Sequence, residues 1–120
     1  MKKVCVLGLG YIGLPTAVLL ATNGYQVAGV DVDQAVLEKL SAGKVHINEP
    51  ELDVFFRRSI EAGKLTFHSV PQQADAFIVA VPTPFRSDKT CDLSLVRGAV
   101  KSILACLSPG NLIIIESTVP

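Results

Sequence analysis

The chain has 120 residues, a formal net charge of zero and 49% hydrophobic residues, which fits one ordinary domain with a dense core and excludes a disordered chain. Zero charge with no basic stripe argues against nucleic acid or an anionic membrane as partner, and no apolar run free of glycine and proline approaches the length of a membrane span. The three cysteines, Cys5, Cys91 and Cys106, are odd in number and form no CxxC pair, which argues against a disulfide framework or a structural zinc site and leaves no metal expected.

Lys2 and Lys3 followed by the apolar run Val4 to Ala21 have the outline of a secretory leader. The glycines at 8, 10 and 13 and the proline at 15 have no task in such a leader. They do in a chain divided in three: a strand from Lys3 to Leu7, a turn Gly8-Leu9-Gly10-Tyr11-Ile12-Gly13 opening a helix over 11–23, and a strand from Gln26 to Val30 ending at Asp31. Asn23-Gly24 supplies the helix stop.

Asp33 is placed to cap a helix running to about Ser41. The stretch "KVHINEPEL" reads as irregular until Pro50, which suits the first turn of a helix reaching about Ala62. "KLTFHS" reads as a short strand, and "ADAFIVAV" as a buried strand stopped by Pro82 and Pro84. After a polar loop holding Cys91, Asp92 can cap a helix over 92–107 with Leu93, Val96, Val100, Ile103, Leu104 and Leu107 on its apolar stripe. "NLIIIEST" is the last strand. Continuous apolar runs such as "FIVAV" and "LIIIE" suit strands buried on both faces. The alternation predicts βαβ units with right-handed crossovers: an α/β, Rossmann-like, doubly wound and mostly parallel sheet with helices on both faces.

Within that order each glycine of the first turn has a mechanical task. Gly8 permits the tight exit from the strand. Gly10 lets the backbone approach a pyrophosphate, and Gly13 lets the helix pack closely on the strand. The N–H groups near Tyr11 and Ile12 then face the phosphate charge. Asp31, eighteen positions after Gly13, can accept hydrogen bonds from the adenosine ribose and repel a 2′-phosphate, so the expected cofactor is NAD rather than NADP. Two further strand ends fall on the same edge of the sheet. Val81-Pro82-Thr83-Pro84 offers the Thr83 hydroxyl and N–H, and Glu116-Ser117-Thr118-Val119-Pro120 offers three polar groups after an apolar strand.

"GLGYIGLPTA", Asp31, "VPTP" and "ESTVP", in that order, resemble the nucleotide-sugar 6-dehydrogenases, over essentially the whole chain. Within that family "HINEPEL" and "AVPTPF" look most like the UDP-N-acetyl-D-mannosamine enzymes. The resemblance implies oxidation of a sugar C6 alcohol to an acid, with two NAD+ and a cysteine thiohemiacetal and thioester. It implies that Gly8, Gly10, Tyr11, Ile12, Gly13 and Asp31 hold the adenosine diphosphate half, that Thr83 lies near the other half, and that Thr118 positions water or cofactor at the reaction centre. Glu49 would approach the sugar side. Val36 stands where many relatives carry a basic residue, which removes one adenosine contact.

The family's nucleophilic cysteine lies in a later segment, so none of Cys5, Cys91 or Cys106 takes that role. The expectation is an N-terminal NAD-binding domain, residues 1–120 of something longer, that binds NAD without turnover. Expected partners are a nucleotide sugar and, at full length, further copies of itself, with no nucleic acid and no membrane. The lack of a targeting signal fits a cytoplasmic enzyme. Rival readings are a UDP-glucose or UDP-N-acetylglucosamine 6-dehydrogenase, a β-hydroxyacid-type NAD dehydrogenase, a non-catalytic NAD-sensing domain, and an S-adenosylmethionine-binding domain. The third glycine and the close helix packing it permits argue against the last.

Overall fold

A computed structural model describes residues 2–45, 50–83 and 92–116. Five strands, β1 (Lys3–Leu7), β2 (Gln26–Val30), β3 (Leu65–His68), β4 (Ala76–Val79) and β5 (Leu112–Ile115), form one sheet in the order β3-β2-β1-β4-β5. All four pairings are parallel. Helices α1 (Gly13–Thr22), α2 (Gln34–Ser41), α3 (Pro50–Glu61) and α4 (Ser94–Ile103) make the crossovers.

The period-two alternation of the strands sorts the core onto two faces. Val4, Val6, Val27, Leu65, Ala76 and Ile78 join Leu14, Val18 and Phe56 beneath α1, α2 and α3. The intervening residues Cys5, Leu7, Ala28, Val30, Phe77 and Val79 join Ile103 of α4 on the opposite face. This explains why β1, β2 and β4 read as unbroken apolar runs: they have no solvent face.

Helix boundaries follow local chemistry. The α1 helix ends where Gly24 takes φ +93°, with its N–H on the Ala21 carbonyl and that of Tyr25 on the Leu20 carbonyl. Asp33 caps α2 by accepting the Ala35 N–H at 3.0 Å. Pro50 opens α3.

Three expectations are corrected. The last helix is α-helical only from Ser94 to Ile103, and Leu104–Cys106 tightens to a 3-10 turn. The tighter winding takes Leu104 and Leu107 off the stripe formed by Val96, Val100 and Ile103, and both are exposed, as is Leu93. Strand β5 is not buried on both faces either. It is an edge of the sheet, paired among the described residues with β4 alone, and Leu112, Ile114 and Ile115 are exposed. Leu93, not Asp92, takes the N-cap position of α4 and makes no side-chain cap bond, while Asp92 just before it accepts the Ser94 N–H at 2.9 Å.

Candidate dinucleotide-binding site

The order β3-β2-β1-β4-β5 reverses direction between β1 and β4: the chain winds outward from β1 through β2 to β3, then crosses back to β4. The loops leaving β1 and β4 diverge there, which is where open parallel sheets bind ligands. The first glycine turn sits at that point.

Each glycine meets a different constraint. Gly8 takes φ +94°, and a Cβ there would lie 2.7 Å from the Ala80 carbonyl oxygen at the end of β4. A Cβ on Gly13 would fall on the Gly8 carbonyl oxygen. Gly10 is exposed, with nothing within 4 Å of where its Cβ would be, so the space above the turn is open. Among the described residues, the N–H groups of Gly10, Tyr11, Ile12 and Gly13 have no protein acceptor, and the first to bond back into the helix is that of Leu14, on the Gly10 carbonyl at 3.1 Å. The α1 dipole adds partial positive charge at that end. An open Cβ-free surface with convergent donors fits a pyrophosphate.

The x positions of the motif divide the work. Tyr11 is 81% exposed, whereas Leu9 is fully buried and its methyls pack against Gly29 on β2. Leu9 is a site residue that the glycine spacing alone does not single out. An apolar residue between the first two glycines was the available signal, since only an inward side chain there would need to be large and apolar.

Asp31 leaves β2 with its backbone N–H on the His68 carbonyl at 3.2 Å. Its carboxylate accepts the Leu9 N–H at 2.9 Å through Oδ2 and the Asp33 N–H at 2.9 Å through Oδ1. Each oxygen keeps lone-pair capacity for a further donor. Asp31 also lines a cleft of about 390 Å3, with Gly8, Val32, Val81, Pro82 and Leu95 around it, in the size range of small-molecule sites. This cleft lies between the ends of β2 and β4 and one side of α4, from Ser94 to Ser102.

Thr83 stands just past the end of β4, on the same edge. Glu116 continues β5 by one residue, with its N–H on the Val79 carbonyl at 2.8 Å, and its carboxylate accepts the Thr16 hydroxyl at 3.2 Å. Thr118, Glu49 and Cys91 lie outside the described residues. Burial pushes the Cys5 thiol up, so Cys5 is a core residue rather than a nucleophile. Val36 is half-buried against the α1–α3 core cluster. No helix among the described residues is long and apolar enough to cross a membrane.

A doubly wound parallel sheet with a glycine turn at its switch point and an acid at the end of β2 defines the Rossmann class of dinucleotide-binding domains. The comparisons with known proteins narrow the class. Residues 2–120 match the model of the UDP-glucose/GDP-mannose dehydrogenase family, NAD binding domain, and the chain belongs to that family. It is 47% identical to a UDP-N-acetyl-D-mannosamine dehydrogenase of Campylobacter jejuni over 120 residues, covering 99% of this chain and 30% of that protein. A UDP-N-acetyl-mannosamine dehydrogenase structure from Staphylococcus aureus superposes with a TM-score of 0.96 at 46% identity, covering 98% of this chain and 29% of that one. A GDP-mannose dehydrogenase structure from Pseudomonas aeruginosa matches at TM-score 0.89 and 26% identity, over 99% of this chain and 29% of that one. The chain thus spans about three tenths of the length of the relatives it matches.

Proposed function

We propose that this chain is the cofactor-binding part of an enzyme that oxidises the C6 alcohol of a nucleotide sugar to a carboxylate, with UDP-N-acetyl-D-mannosamine as the substrate. The overall change consumes one water and two NAD+, and yields the carboxylate, two NADH and three protons. The observation that carries the reading is the joint geometry of Gly8, Gly10, Gly13 and Asp31: an open turn with free donors beside a carboxylate at the next strand end. The high identity to UDP-N-acetyl-D-mannosamine dehydrogenases supports the choice of sugar.

NAD supplies the hydride acceptor. The N–H groups at Gly10, Tyr11 and Ile12 hold its pyrophosphate, and Asp31 accepts the adenosine ribose hydroxyls. The cleft between Val32, Val81 and Leu95 receives the adenine. Thr83 faces the nicotinamide half, and Thr118 positions water or cofactor at the reacting carbon. Glu49 approaches the sugar. Carrying the aldehyde on to the acid needs a nucleophile. The nucleophilic cysteine belongs to the segment that follows this one in the full-length enzyme, so residues 1–120 alone bind NAD+ without oxidising the sugar.

Calorimetric titration of the chain with NAD+ and NADP+ tests the cofactor assignment. Binding of NAD+ alone is expected, and equal binding of both refutes the role given to Asp31. Absorbance of NADH after adding UDP-N-acetyl-D-mannosamine tests the rest. No product is expected from residues 1–120, and turnover by them refutes the division of labour.

A further inference from the structure

The side-chain bond between Thr16 and Glu116 joins residues a hundred positions apart. The mechanism proposed above does not use it. Glu116 is drawn from the end of β5 toward α1, little more than one turn beyond the donors at Gly10, Tyr11 and Ile12. Both side chains are half-buried, which limits screening of the carboxylate. Among the described residues, no lysine or arginine lies within ion-pair distance of Glu116.

The topology fixes which half of a dinucleotide this carboxylate would meet. Asp31 and the apolar cleft take the adenosine to the β2 side of the switch point. With its pyrophosphate at Gly10, the remaining half must run the other way, across the ends of β4 and β5. Glu116 is at the end of β5. The nicotinamide ring is a cation in NAD+ and neutral in NADH. A fixed, half-buried carboxylate beside it favours the oxidised form by simple attraction.

We propose that Glu116, held in place by Thr16, sets the redox-form preference of the bound cofactor, tightening NAD+ relative to NADH so that reduced cofactor leaves readily. This rests on the assignment of Gly8 to Asp31 as a NAD site. A clasp that served only to hold β5 against α1 would need no charge: a glutamine carbonyl accepts the same hydroxyl bond.

The test is titration of the 120-residue chain, of Glu116→Gln and of Thr16→Val with NAD+, NADH and ADP-ribose, which lacks the nicotinamide. Thermal melts confirm that the variants fold. Glu116→Gln is expected to weaken NAD+ about fivefold while NADH and ADP-ribose change by less than about twofold. Thr16→Val, which frees the carboxylate, shifts the NAD+ to NADH ratio the same way by a smaller factor. Equal losses for NAD+ and NADH, or no change in either, overturn the proposal and leave a structural clasp. If ADP-ribose binds and the ratio is unmoved, Glu116 alone is misassigned. If the wild-type chain does not bind ADP-ribose, the NAD site itself is misassigned and the proposal falls with it.

Discussion

The backbone N–H of Leu9 donates to Oδ2 of Asp31 at 2.9 Å, so the acid at the end of β2 holds the glycine turn at the end of β1. The other oxygen of the same carboxylate takes the Asp33 N–H and shapes the entry to α2. Asp31 is therefore a structural keystone as well as the ribose acceptor assigned to it. Asp31→Ala is expected to weaken NAD+ binding and also to cost about 1–3 kcal/mol of stability, because two N–H donors lose their acceptor. Denaturant melts beside calorimetry separate the two effects. An unchanged unfolding midpoint would show that the two N–H bonds contribute nothing to stability.

The three glycines of the turn should separate in the same way. Gly8→Ala meets the Ala80 carbonyl in a left-handed backbone, and Gly13→Ala meets the Gly8 carbonyl, so both are expected to destabilise the fold by about 2–4 kcal/mol. Gly10→Ala enters open space and should leave stability within about 0.5 kcal/mol of wild type. It should nonetheless lower NAD+ affinity more than about tenfold, since the new methyl occupies the phosphate's approach. Melting curves and titrations on the three variants check this. A Gly10→Ala chain that is stable and binds normally would sink the assignment of that surface.

These contrasts mark what the sequence made legible. Strands β1 and β2 could be bounded to the residue because Gly8, Gly24 and Asp31 punctuate them, and the parallel order followed from their lack of a solvent face. The exposure of β5 could not be read, because "LIII" looks the same at the edge of a sheet as at its centre, and position in the sheet is a tertiary fact. The end of α4 at Ile103 was hidden for a related reason, as its leucines keep helical spacing after the helix has tightened. In the site, the glycines and Asp31 were found by spacing. The Leu9–Asp31 and Thr16–Glu116 bonds were not, since each joins residues that only the sheet order brings together.

Acid stability carries two signatures. The N–H groups of Lys3 and Lys2 hold the Asp75 carboxyl below its usual range, stapling the start of β1 to the residue before β4. A depressed folded-state value means that this contribution is present at neutral pH and is lost as pH falls below about 4. Partial burial, then the nearby Lys3 charge, holds the His68 imidazole below its ordinary value. The sign is the same for a base: the unfolded chain takes up the proton first, so stability starts to fall below about pH 6.5. Urea midpoints measured from pH 8 to 3 should decline in two steps. Asp75→Asn should flatten the lower step and His68→Gln the upper, both modestly because Asp75 is exposed and His68 is only partly buried. A profile unchanged in both variants would rule out either linkage.

Leu9 and Gly29 offer a test of how the phosphate turn is anchored. Leu9 is fully buried, and its two methyl carbons lie 3.1 and 3.2 Å from where a Cβ on Gly29 would be. Leu9→Ala removes that packing and is expected to cost about 3 kcal/mol. Gly29→Ala in the wild-type chain must push aside Leu9 and the Phe67 ring edge, 3.3 Å from the same point, and should cost about 1 kcal/mol. In the Leu9→Ala background the new methyl occupies space that Leu9 has vacated. Gly29→Ala should there be neutral or stabilising, giving a coupling of about 1 kcal/mol or more between the sites. A double-mutant cycle from urea unfolding measures it. Strict additivity would mean that a methyl on Gly29 and the Leu9 side chain do not compete for the same space.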